Sequence, residues 1–237
     1  MFLWGLWIDP LYLVLFVVTL VLSGAAQLYI KSTFAKWNKV DNGVRLSGLE
    51  IGERLLTLTS FGGATGSGTG ISFKVVPGDL SDHFDPRTKE VGLSQVVAGN
   101  ASVAAMAVTA HEVGHAQQHA EGTIAMKART FLVPAVTYSP MLSYGLIFVG
   151  LIFNMTGLFW LGIIVFGVMV LFSLLTLPVE IGASRRALVM LREGGMLNGP
   201  EDASGARSVL IAAALTYVAA AVTSILTLLY YLSIARR

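Results

Sequence analysis

TFLVPAVTYSPMLSYGLIFVGLIFNMTGLFWLGIIVFGVMVLFSLLTLPV, Thr130 to Val179, is a run of 50 residues without an Asp, Glu, Lys or Arg. At 1.5 Å per residue it makes about 75 Å of helix. A hydrocarbon core of roughly 30 Å needs about 20 apolar residues, so the run holds two membrane spans rather than one. Asn154-Met155-Thr156-Gly157 supplies turn residues near its middle, which puts the spans near 134–153 and 157–177.

Two further charge-free tracts flank this hairpin, Pro10–Ile30 (21 residues) and Ser208–Ala235 (28 residues). The first fits one span. The second gives a fourth near 209–232, with Tyr230 and Tyr231 where an interfacial aromatic belt would lie. The segment Met1–Asp9 has no Lys or Arg and carries an acid, contrary to the positive start of a secretory signal, so the first span is expected to be an uncleaved anchor.

These tracts account for the composition. The chain has 237 residues, 54% hydrophobic and 13% charged, against about a quarter charged in an ordinary soluble domain. Its mean hydropathy is +0.71. All 16 basic and 14 acidic residues fall outside the three tracts, so the chain combines membrane spans with a small water-facing part. A purely soluble enzyme and a disordered chain are excluded, as is a disulfide scaffold, because there is no cysteine. A net charge of +2 without a dense basic stripe argues against a nucleic-acid partner.

Basic residues near the span ends set the orientation. Lys31, Lys36, Lys39, Arg45, Lys127, Arg129, Arg185, Arg186, Arg192 and Arg207 lie on one side, and only Arg236 and Arg237 on the other. The first side, carrying 31–133 and 178–208, is expected in the cytoplasm, with the 154–156 turn outside a multi-pass cell-membrane protein.

Between spans one and two, Leu46–Leu58 places apolar residues at 46, 49, 51, 55, 56 and 58, an amphipathic helical pattern. Ile71–Val75 alternates like a strand, Asp85-Pro86-Arg87-Thr88 reads as a turn, and a second short strand follows around Val91–Ser94. That strand is a candidate edge along which an extended peptide could pair; the alternative is an ordinary hairpin arm. A helix is expected from Ser102 to about Ala120, with Gly122 as its stop. The glycine run Gly62–Gly70 lacks the Lys-Ser/Thr of a phosphate loop and reads as a flexible hairpin tip or linker.

The chemistry lies in His111-Glu112-Val113-Gly114-His115. Residues four apart share a helix face, so both imidazoles reach one metal ion while Glu112 holds a water beside it. They interrupt an Ala- and Val-rich helix, where unpaired polar groups would cost several kcal/mol on burial. A catalytic zinc usually has three protein ligands. Gln118 and Glu121 stand where a metzincin needs Gly and His. Glu121 is too near the helix end, and Glu193, Glu201 and Asp202 fall in a Gly- and Pro-containing loop that reads as solvated. Glu180 follows Pro178 at the end of span three, and Gly182, Ala183 and Ala187 are small enough to let its helix approach the histidines. The hairpin returns it to their side. It is therefore a candidate third ligand; the alternative is a carboxylate paired with Arg185 or Arg186.

Three blocks, Leu80-Ser81-Asp82-His83-Phe84-Asp85-Pro86-Arg87, His111 through His119, and Pro178-Val179-Glu180 with Ala183-Ser184-Arg185-Arg186-Ala187, resemble the YugP-like neutral zinc metallopeptidases of bacterial membranes, over roughly residues 30 to 235. The resemblance implies a mainly α, polytopic membrane protein with about four transmembrane helices and a small zincin-like α+β catalytic part on one side. It implies a zinc-dependent peptidase acting on a protein or peptide, with His111, His115 and Glu180 as ligands and Glu112 as general base. The related HtpX-like group has Asp four residues after its ligand Glu, where this chain has Ser184, a weaker partner for a ligand histidine. His83, Arg185 and Tyr138 are the candidates for stabilising the oxyanion, and His119 is expected to be a surface or supporting residue. The expected segments are an anchor (1–30), a catalytic part (31–133), a transmembrane hairpin (134–177), a helix and loop with the third ligand (178–208) and a last transmembrane helix (209–237). The rival class is a non-catalytic scaffold or transporter component retaining a zinc site; charge-free spans argue against transport.

Overall fold

In lipid, a backbone can satisfy its polar groups only within a helix or a closed barrel, and each charge-free tract accordingly folds as helix. A computed structural model describes residues 9–61 and 66–236. The element order is α1 (Pro10–Trp37), α2 (Gly48–Leu58), β1 (Ser72–Val76), β2 (His83–Asp85), β3 (Glu90–Ser94), α3 (Gln95–Gly99), α4 (Val103–Ala120), α5 (Ile124–Ile152), α6 (Thr156–Glu193) and α7 (Asp202–Ala235). Among the described residues α1, α5, α6 and α7 are long and apolar enough to cross a membrane. The protein is a mainly α, polytopic membrane protein with a small three-stranded sheet. These helices outrun their apolar tracts. Most notably, α6 continues through Pro178 to Glu193, so one helix carries both a span and Glu180.

The chain folds as two compact units. One contains the described residues up to Gln27, Ala128–Leu177 and those from Leu215 onward. Here α5 and α6 form the antiparallel hairpin expected around Asn154, which takes the left-handed conformation with φ +52. The Ser143 hydroxyl donates across it to the Gly162 carbonyl at 2.9 Å. Ile147, Phe159, Ile163, Tyr230 and Ile234 pack together, while Phe131, Met141 and Ile164 remain exposed, as lipid-facing side chains would be.

The second unit comprises Leu28–Lys127 and Pro178–Ala214. Its core surrounds α4, which is buried along most of its length. α2 begins at a capping box: the Ser47 N–H donates to Glu50 Oε2 at 2.8 Å, and the Glu50 N–H donates to Ser47 Oγ. Its Ile51 and Leu55 are fully buried, whereas Glu53 and Arg54 face solvent, the division an amphipathic helix requires.

The sheet differs from the sequence expectation. β2 is an additional strand, antiparallel to β3, and β1 runs parallel to β3, giving the order β1-β3-β2. β3 is therefore central, with both backbone edges paired over Glu90–Gly92, and it is the hairpin arm of the two readings. Its Val91 and Leu93 are fully buried. Residues 62–65 of the glycine run lie outside the described residues; Gly66–Thr69 form a 3-10 turn leading into β1. The loop expectation also fails at Asp202. That carboxylate is 1% exposed, opens α7 and accepts from the N–H groups of Gly43 and Gly199. The helix N-terminus and these two donors explain its burial.

Candidate metal centre

His111, Glu112 and His115 lie on α4, one turn apart, and Glu180 on α6, all within the second unit. Small residues allow the two helices to approach closely. A Cβ on Gly114 would sit 2.6 Å from the Ala183 carbonyl oxygen, and one on Gly182 would sit 2.5 Å from the Gln118 amide nitrogen. Larger residues at either place would separate the histidines from the glutamate.

His111 Nε2 and His115 Nε2 lie 3.2 Å and 3.4 Å from the same carboxylate oxygen, Glu180 Oε2. One ligand atom from each residue falls within 4.8 Å of the others. The donors suit zinc: ligands at 2.0–2.1 Å in tetrahedral array stand about 3.3 Å apart. His115 supplies a second test. The Gln118 amide donates through Nε2 to the Val179 carbonyl at 2.8 Å, which leaves Oε1 to accept from His115 Nδ1–H at 3.1 Å. That bond turns His115 Nε2 toward the Glu180 carboxylate, so the two residues offer ligand atoms to one common point, and the donor set fits a metal ion.

His111 Nδ1 meets Ser184 Oγ at 3.2 Å, so the serine fills the orienting place that the HtpX-like pattern gives to Asp. Sequence reasoning missed Gln118 as an orienting group. Its signal was available, because a position three residues after His115 returns to the same helix face. Arg186 pairs with Glu121, while Glu180 Oε2 faces the two imidazoles.

Glu112 retains 7% exposure. Burial raises its carboxyl to about 7, with the negative charges of Glu180 and Asp82 adding to the rise and His111 opposing it. Asp82 is also raised by burial, although it accepts from the Ser94 N–H and hydroxyl. Of the three oxyanion candidates, His83 on β2 is near enough to act electrostatically on Glu112. Arg185 is exposed and lines a groove that Ser184 also borders. Tyr138 is 75% exposed on α5, in the other unit. His119 packs its ring against Phe84, outside the ligand group. Glu193 and Glu201 are exposed.

Residues 12–236 match a family model described as "Putative neutral zinc metallopeptidase". Over 224 residues, 94% of this chain and 96% of the relative, the sequence is 37% identical to a Bacillus subtilis (strain 168) protein named "Putative membrane protease YugP". No solved structure matches significantly.

Proposed function

The chain belongs to the neutral zinc metallopeptidase family, and from this membership we propose that His111, His115 and Glu180 hold the catalytic zinc and that Glu112 is the general base of peptide hydrolysis. The observation that carries the reading is the convergence of three buried ligand atoms from segments 69 residues apart, with a buried carboxyl beside the first of them. Zinc, when bound, polarises a carbonyl and makes a neighbouring water acidic. Glu112 then takes the proton of the attacking water and returns it to the departing amine as the C–O bond forms and the C–N bond breaks. Gln118 and Ser184 hold the imidazoles so that Nε2 of each faces the metal.

The full-length protein purified in detergent should carry about one zinc per chain. A Glu112→Gln variant should keep that zinc and lose casein or self-cleavage activity by at least about 100-fold. Absence of zinc from the unmodified protein overturns the enzyme reading. A Glu180→Ala variant binding zinc as tightly as the parent removes Glu180 from the ligand set.

The site is placed on the cytoplasmic side, on the strength of the ten-to-two distribution of basic residues at the span ends. The chain has no cysteine, so single-cysteine variants report topology cleanly. An impermeant maleimide should label M155C in intact cells and D79C only after permeabilisation; the reverse pattern inverts the assignment.

A further inference from the structure

Next to the metal centre, with Ser184 in the lining, the second unit contains a groove of about 780 Å³ between the Pro178–Glu193 part of α6 and the start of α7. Arg185, Arg192 and Arg207 open onto it, with Leu188, Leu197 and Ile211 among its apolar walls. All three arginines are exposed, and none has an acidic partner among the described residues. The nearby Asp202 is already occupied by the Gly43 and Gly199 N–H groups. The groove therefore gathers three positive charges that no ion pair neutralises among the described residues.

We propose that this groove binds the phosphate headgroup of an anionic phospholipid. Guanidinium forks match phosphate oxygens in pairs, and a basic pocket at the ends of membrane helices is where such headgroups are held. The apolar half of the ligand is also provided for. Leu188, Leu197, Leu210 and Ile211 give the groove apolar walls, and Ile211 lies within the charge-free tract Ser208–Ala235. Such walls beside a membrane-spanning tract suit the start of an acyl chain. A soluble acidic peptide would make no use of them.

The test uses the full-length protein in detergent and reads lipid binding by native mass spectrometry, so it requires neither zinc nor peptidase activity. The probes are dioleoyl phosphatidylglycerol and dioleoyl phosphatidylcholine. Phosphatidylglycerol should bind at least about tenfold more tightly. Each of R185Q, R192Q and R207Q should weaken it about fivefold, and the triple variant on the order of 100-fold. The triple lysine variant R185K/R192K/R207K should recover most of that loss. K31Q/K36Q/K39Q, which removes the same charge elsewhere, should bind as the parent does. Equal binding of the two lipids overturns the proposal, as does an equal loss in the K31Q/K36Q/K39Q protein. Displacement of phosphatidylglycerol by millimolar inorganic phosphate would make the groove a soluble-anion site, and displacement by an oligoglutamate peptide would make it a peptide site. Either result also overturns the proposal.

Discussion

Glu112 permits a prediction with a definite sign. In the metal-free protein its carboxyl is raised to about 7 from an ordinary 4.5, chiefly by burial. The unfolded chain loses this proton as pH passes 4.5, whereas the folded chain keeps it until about 7. The folded state thus binds more protons between the two values, and stability falls across that window as pH rises. A shift of about 2.5 units at 1.36 kcal/mol each amounts to about 3 kcal/mol above pH 7, of which about 2.5 kcal/mol accumulates between pH 5 and pH 8. A Glu112→Gln variant has no such proton. Its melting temperature after chelation should exceed that of the parent by roughly 5–10 °C more at pH 8 than at pH 5. The measurement is a thermal melt of both proteins in the same detergent across that range. Parallel melting curves against pH would refute the argument. Zinc should reverse the pattern, because a cation beside the carboxylate favours its ionised form; titrating the metal back should shrink the advantage of the variant at pH 8.

The helix contacts give further expectations. Ser184→Ala and Gln118→Ala each remove a partner of a ligand imidazole and should weaken zinc affinity by about 10-fold to 100-fold, measured by competition with a chelator. Gln118→Ala should be the more severe, since the same amide also binds the Val179 carbonyl. Gly114→Ala should lower both the melting temperature and the zinc content, at a cost of about 1–3 kcal/mol, because its Cβ would press on the Ala183 oxygen. Glu121→Gln breaks a partly exposed pair with Arg186. It should change stability by less than about 1 kcal/mol and leave zinc binding unaltered; zinc loss would readmit Glu121 as a ligand.

The spans were legible because charge exclusion is a property of each segment alone: a run of 50 residues without charge needs no partner to be read. The capped α2 and the helix of the two histidines were legible for the same reason, since caps and helical periodicity are local. The sheet was not. β2 is three residues long, too short for alternation to register. The parallel pairing of β1 with β3 depends on a non-local register, so β3, which alone resembles any half-buried strand, could be read as an edge or as a hairpin arm; its antiparallel pairing with β2 makes it the arm. Asp202 failed similarly. A carboxylate in a Gly- and Pro-rich segment looks solvated until the backbone of Gly43, 159 residues away, is found donating to it.

The metal centre shows the division most sharply. The spacing of His111 and His115 puts two candidate ligands on one helix face, but the third requires knowing that α6 reaches α4. The contacts reveal a rule that could not be read one segment at a time. Gln118 lies three residues after the proposed ligand His115 and binds α6 at Val179, next to Glu180. Ser184 lies four residues after the proposed ligand Glu180 and binds α4 at His111. Each helix therefore carries, one turn beyond a ligand, a polar group that locks the opposite helix, and the same two groups set the imidazole orientations. Helix spacing and ligand geometry are consequently one variable. A change that shifts α4 against α6 by a few tenths of an ångström disturbs both hydrogen bonds and the 3.2 Å and 3.4 Å convergence on Glu180 together. This coupling is why Gly114, which touches none of the ligands by its own chemistry, is expected to matter to the metal as much as the groups that orient it.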